Sequence, residues 1–158
     1  MAVDATFEEI MARGVELHDL AVQGKAGASQ EALKWLEQAL QMQPDHPLAQ
    51  AYYGSALALV GRDSIDPQER VVKALRGLKI LDRTAAAYGD LVPVRILRGY
   101  VAYRLPEEYF YRTQTAIEDF SFLIQRYEQD STIFSEEFWI KSISVCKIPR
   151  LDELSVLG

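Results

Sequence analysis

Two histidines, one cysteine and three pairs of adjacent glutamates are the residues from which this 158-residue chain could build a reactive site. Such a site needs a nucleophile beside a base, two acids held together, or a set of metal ligands. His18 falls within an apolar-periodic helical stretch, where partial burial is the plainest reading. His46 lies in the turn composition Pro44-Asp45-His46-Pro47, which leaves it in solvent. Zinc ligation by these two would require them to meet in space. Cys146 is the single cysteine, so neither an internal disulfide nor a cysteine-based zinc site can form, and it suits the role of a small buried hydrophobe. The pairs Glu8/Glu9, Glu107/Glu108 and Glu136/Glu137 are sequence neighbours. Neighbours on a helix point about 100° apart and do not share a site. No glycine loop of the phosphate-binding kind occurs. The expectation is a protein with no catalytic residue, no metal and no cofactor.

The residues between Arg95 and Arg112 point instead to binding. They include Arg95, Arg98, Arg104 and Arg112 with Tyr100, Tyr103, Tyr109, Phe110 and Tyr111. Arginine and tyrosine are enriched at protein interfaces and at their hot spots. A structural alternative stays open, in which the tyrosines pack between helices and the arginines pair with Glu107, Glu108 and Glu118. Arginine with aromatics also suits nucleic acid. The net charge of −6, from 17 basic and 23 acidic residues, repels phosphate backbones, so no nucleic-acid partner is expected.

The elements that would position these residues can be read from periodicity. Ala32, Leu33, Leu36, Ala39 and Leu40 mark one face of a helix. The same face recurs at Ala74, Leu75, Leu78 and Leu81, and again at Ala116, Ile117, Phe120, Leu123 and Ile124, with a period of 42 residues. Asp82 departs from the pattern, standing where Leu40 and Ile124 are apolar. A fixed period in this range marks stacked helical repeats. Each of these helices follows another that carries a glycine, at Gly14, Gly54 and Gly99, which implies close approach by a neighbouring helix.

Seven helices are expected, over about 4–22, 29–42, 47–61, 67–87, 92–104, 112–129 and 135–147. Pro47 and Pro67 suit first helical positions, and Asp66 with Glu69 forms a capping-box pattern. Gly24 and Gly61 suit left-handed helix ends, and Pro106 stops the fifth helix. No strand pattern of useful length occurs. Apolar residues make up 49% and charged residues 25%, the proportions of a globular domain. The first residues lack the pattern of a signal peptide, and no window approaches the ~20 apolar residues of a membrane helix. A cytoplasmic protein with no membrane partner is expected.

Three groups of residues resemble the tetratricopeptide repeat family: Gly14, Leu17, Ala32, Leu36 and Pro44; Tyr53, Gly54, Leu57, Ala74 and Leu78; Gly99, Ala116 and Phe120. The likeness covers roughly residues 7–129. Ile10, Gln50 and Arg95 stand where the family prefers tryptophan, and Arg13 and Arg98 where it prefers leucine. The period of 42 exceeds the family's ~34, the excess falling in loops or extra helical turns. The resemblance implies an all-α, right-handed α-solenoid of three antiparallel helix pairs. Residues 1–148 would form this one domain, closed by a C-terminal capping helix with Phe138, Trp139, Ile143 and Val145, and residues 149–158 a tail.

In this family the first helix of each pair lines the concave surface. Carried over, that places Met11, Val15 and His18, then Leu48, Ala51, Ser55, Ala58 and Leu59, then Ile96, Tyr100, Tyr103 and Arg104 on a face that binds a protein or peptide. Members that clamp a terminal carboxylate use lysine and asparagine there, which these positions lack. Two other readings remain: a self-associating structural protein whose groove is filled by another copy, and a small-molecule-binding helical domain. The partly apolar tail, Leu151 to Leu157, would either dock on its own chain or enter a neighbour's groove and make a homodimer. If it joins two copies, removing residues 150–158 lowers the mass measured in solution from dimer to monomer; an unchanged mass sinks that reading.

Overall fold

The computed structural model describes residues 4–132. The expected helix over 135–147, Cys146, Glu136/Glu137 and the tail lie outside the described residues. Within them all regular structure is helical: α1 (Phe7–Val22), α2 (Ala28–Met42), α3 (Pro47–Asp63), α4 (Pro67–Tyr88), α5 (Val92–Arg104), α6 (Glu107–Phe110) and α7 (Thr113–Gln129). No helix among the described residues is long and apolar enough to cross a membrane.

The helix ends follow local chemistry. α1 begins at Phe7 rather than Asp4, because Thr6 closes a capping box: its hydroxyl accepts from the Glu9 amide at 3.2 Å, and the Glu9 carboxylate accepts from the Thr6 amide at 2.9 Å. His46, expected in solvent, is half-buried and caps α3. Its Nδ1 accepts from the Ala49 amide at 3.3 Å, and its ring lies 4.7 Å from that of Phe7. Asp66 caps α4 through the Gln68 amide, but Glu69 does not close the box; its carboxylate accepts from the Ser64 hydroxyl instead. Gly24 adopts the left-handed φ of 90° expected past a helix end. Gly61 does not, since α3 continues to Asp63 and Gly61 is buried against the start of α4. The single turn α6 was not expected from sequence. It opens after Pro106, and Tyr111 leaves it at φ 52°, the one non-glycine residue with positive φ among those described.

Packing makes three hairpins, α1–α2, α3–α4 and α5–α7. Along α3, Gly54 faces Gly77, Ile80 and Leu81, while Gly61 faces Arg70, Lys73 and Ala74, so α3 and α4 are antiparallel. Gly14 lies against Leu36, and Gly99 against Asp119 and Phe120. The three glycines thus face the partner helices of their own hairpins. Ala32, Ala74 and Ala116 are all buried on the second helix of each pair. α3 packs on both α1 and α2, and α5 on both α3 and α4. The apolar clusters straddle these borders. Ile10, Ala39 and Ala49 join α1, α2 and α3; Ala51, Leu78, Leu81, Ala85, Val94, Leu97 and Val101 join α3, α4 and α5. No hairpin buries its apolar face alone.

One polar junction fastens the first border. The Arg62 guanidinium donates to the Ala21 carbonyl at 2.7 Å, at the end of α1, where the Gly24 amide also donates to it at 3.0 Å. Its Nε donates to Asp63, which also accepts from the Ser29 hydroxyl at 2.7 Å, in the first turn of α2. Burial pushes the Asp63 carboxyl up, but the bonds from Arg62 and Ser29 outweigh it and hold it below the ordinary carboxylate range.

Two outcomes follow. A Cβ on Gly77 would overlap the Gly54 carbonyl oxygen, whereas one on Gly14 would meet the Leu36 side chain. Gly77→Ala is expected to destabilise by about 1–3 kcal/mol. Gly14→Ala should cost less, because Leu36 can shift and alanine recovers up to ~1 kcal/mol of helix propensity. Urea unfolding checks the order. With a depressed folded-state pKa, Asp63 contributes stability above its unfolded pKa, and that contribution is lost as pH falls through the lower folded value. Asp63→Asn should therefore lower the melting temperature at neutral pH, and the gap to the parent should close in melts near pH 3.

Candidate functional site

The first helices of the hairpins lie side by side, α1 on α3 and α3 on α5. The residues expected to face a partner divide on burial. Met11, Val15, Ala58, Ile96, Tyr100 and Tyr103 are half-buried and Arg104 is exposed, as are, in part, Leu48 and Leu59. His18, Ala51 and Ser55 are instead interior, a correction to the expected surface. Their burial has a physical cause. α3 is packed by four helices, which covers Ala51 and Ser55, and His18 on α1 turns inward onto Ser55.

His18 and Ser55 meet there. The imidazole Nε2 lies 2.8 Å from the Ser55 hydroxyl, Nδ1 lies 3.4 Å from an Asp19 carboxylate oxygen, and Tyr52 stands edge-on to the ring at 5.1 Å. Burial, with a smaller contribution from the Asp19 charge, raises the Tyr52 phenol above its ordinary pKa, so it stays neutral. The order serine, histidine, aspartate invites comparison with a nucleophilic triad, but the surroundings differ from one. Ser55 is 5% exposed and His18 4%, leaving no approach for a substrate. Ser55 is also mid-helix, where amides bond within the helix and cannot form an oxyanion site. What the group does is tie α1 to α3.

Arg95, Arg98 and Arg112 are engaged by aspartates, while Arg104 is exposed. Asp119, wholly buried on α7, receives Arg98 through two nitrogens at 2.8 and 2.7 Å and Arg95 at 2.9 Å. Arg95 also donates Nε to the Gly89 carbonyl. Asp82 on α4 receives Arg112 through two nitrogens at 3.1 and 2.8 Å and lies 3.5 Å from Arg98. Bonding to Asp119 outweighs burial and holds the Arg98 guanidinium charged more firmly than usual. The hydrogen-bonded partners of Arg95, Arg98 and Arg112 are therefore Asp82 and Asp119, and Glu118 adds a smaller Coulombic contribution at Arg98. Glu107 accepts from the Thr113 amide and hydroxyl, capping α7. Tyr100 and Tyr103 both stand edge-on to Phe120.

Among the described residues no group of three or more His, Cys, Asp or Glu is placed to hold a metal. His46 is engaged at the start of α3, away from His18. Tyr109 and Tyr111, at the α6 turn, are exposed. Comparison with protein-family models, curated proteins and solved structures finds no match to this chain.

Removing the buried carboxylate alone leaves two guanidiniums facing a gap. Asp119→Ala is expected to cost about 3–5 kcal/mol. Combining it with Arg98→Leu removes one orphaned charge and restores an apolar residue, so the double variant should be more stable than Asp119→Ala. Denaturant titration of the two decides this, and equal stabilities would show that an unpaired Arg98 carries no penalty there.

Proposed function

We propose that the protein is a binding module of the tetratricopeptide-like kind, a solenoid that holds a protein or peptide segment along the face of α1, α3 and α5. The observation that carries this reading is the side-by-side packing of those three first helices, α1 on α3 and α3 on α5. On this reading the three helices form one surface, and the half-buried Met11, Val15, Ala58, Ile96, Tyr100 and Tyr103 and the exposed Arg104 would belong to it. Partly exposed apolar and aromatic groups beside an arginine are the composition from which interface anchors are drawn. Buried Ala32, Ala74 and Ala116, and glycines that face the partner helix in each pair, support the repeat reading and its right-handed sense by family likeness. An intracellular, cytoplasmic setting fits a chain with one cysteine.

Selection of displayed peptides on the purified protein tests this. Tyr100 and Tyr103 pack on Phe120, so Val15→Lys and Arg104→Glu are the better probes. Each should weaken selected peptides by about tenfold while helical circular dichroism is unchanged. Peptides that bind the parent and both variants alike would place the binding surface elsewhere.

A further inference from the structure

α4 carries more charge of one sign than its hairpin requires. It holds Arg70, Lys73, Arg76, Lys79 and Arg83 against Glu69 and Asp82, a balance of +3 that leaves −9 on the rest of a chain whose net charge is −6. Both acids are engaged, Glu69 with Ser64 and Asp82 with Arg112 and Arg98. Arg76, Lys79 and Arg83 are exposed and enter no ion pair among the described residues, although acids outnumber bases in the chain. They stand at steps of three and four, the spacing at which like charges repel on a helix surface.

The same outward face is apolar at its other end. Val71 is 45% exposed, Leu75 50%, Val72 52%, and Ile65, just before the helix, 99%. Val71, Leu75, Lys79 and Arg83 follow one another at four-residue steps, with Val72 and Arg76 alongside. This row is a continuous strip, aliphatic at the start of α4 and cationic beyond. Contiguous aliphatic exposure rimmed by charge is the mark of an interaction surface.

We propose that this strip is a second docking surface, opposed to the face of the first helices in chemistry and built on a second helix, and that its occupant is an acidic, aliphatic segment of a partner protein. Charge complementarity selects that occupant: carboxylates would relieve the repulsion among Arg76, Lys79 and Arg83, and aliphatic side chains would cover Val71, Val72 and Leu75. A phosphate-rich surface would meet the same cations, but the −9 on the remainder of the chain opposes approach to an extended anionic plane.

The test uses a fluorescent amphipathic peptide of leucine, glutamate and alanine, its lysine counterpart, and phosphatidylglycerol vesicles. The glutamate peptide should bind, more weakly as salt is raised, and the lysine peptide should not. Val72→Ser with Leu75→Ser should weaken binding about tenfold. Arg76→Glu with Lys79→Glu should reverse the preference between peptides, a change that loss of folding cannot mimic. The proposal is overturned if the glutamate peptide fails to bind, if it binds the charge-reversed protein as well as the parent, or if the vesicles alone bind and are lost in these variants.

Discussion

At Gly54 and Gly77 the backbones of α3 and α4 come together with no side chain between them, and that approach sets the geometry of the central hairpin. A Cβ on Gly54 would lie 3.0 Å from the Gly77 carbonyl oxygen, 3.1 Å from Leu81 and 3.2 Å from Ile80. With the helices this close, Leu57, Leu78 and Leu81 are almost wholly buried. The outer sides of α3 then remain for α1, α2 and α5, and each outer hairpin completes its core on it. Glycine weakens a helix by itself, by roughly 1 kcal/mol; here the loss is offset by dense packing that larger residues would prevent.

The third hairpin solves the same packing problem differently. At 95, 98 and 82, on helices that otherwise bury apolar faces, the chain has Arg95, Arg98 and Asp82, and Asp119 stands on the helix that faces α5. A buried carboxylate is tolerated only when charge and hydrogen bonds replace its lost water. Asp119 has both, and Asp82 extends the arrangement to Arg112 and hence to α4. The charged residues that interrupt the apolar period are thus mutually dependent. They also use most of the guanidinium donors internally, so an arginine-rich stretch that looks like a binding site from composition is largely a means of joining helices.

Helix positions were legible in the sequence because periodic apolar residues lie between strong punctuation at Pro47, Pro67, Asp66 and Pro106. α6 was not, because four residues carry no period; what holds it is tertiary, the anchoring of Phe110 in the central core and of Arg112 on Asp82. The ion partners left a faint trace. Asp119 interrupts the stripe of Ala116, Phe120 and Leu123, and Arg95 and Arg98 share a face three residues apart. An acid inside an apolar stripe predicts a buried cation, but which one depends on how hairpins stack. The candidate face was legible only in part for the same reason. Met11 or Tyr100 and His18 or Ser55 look alike in sequence, and only the position of α3 between four neighbours sends the latter pair inward.

The borders between hairpins are therefore unlike in kind. α1–α2 meets α3 through apolar packing, the His18–Ser55 bond and the Arg62–Asp63 junction at its edge. α5 and α7 meet the middle of the molecule through the apolar cluster around Leu78, Leu81 and Val94 and, in addition, through ion pairs that cross the border from Asp82 to Arg98 and Arg112. The penalty for keeping ions from water falls on warming, while burial of hydrocarbon gains little more. Temperature consequently acts on the two ends unequally. Heat shifts the balance of cohesion toward the C-terminal border, so loosening of the chain is expected to start from its N-terminal hairpin.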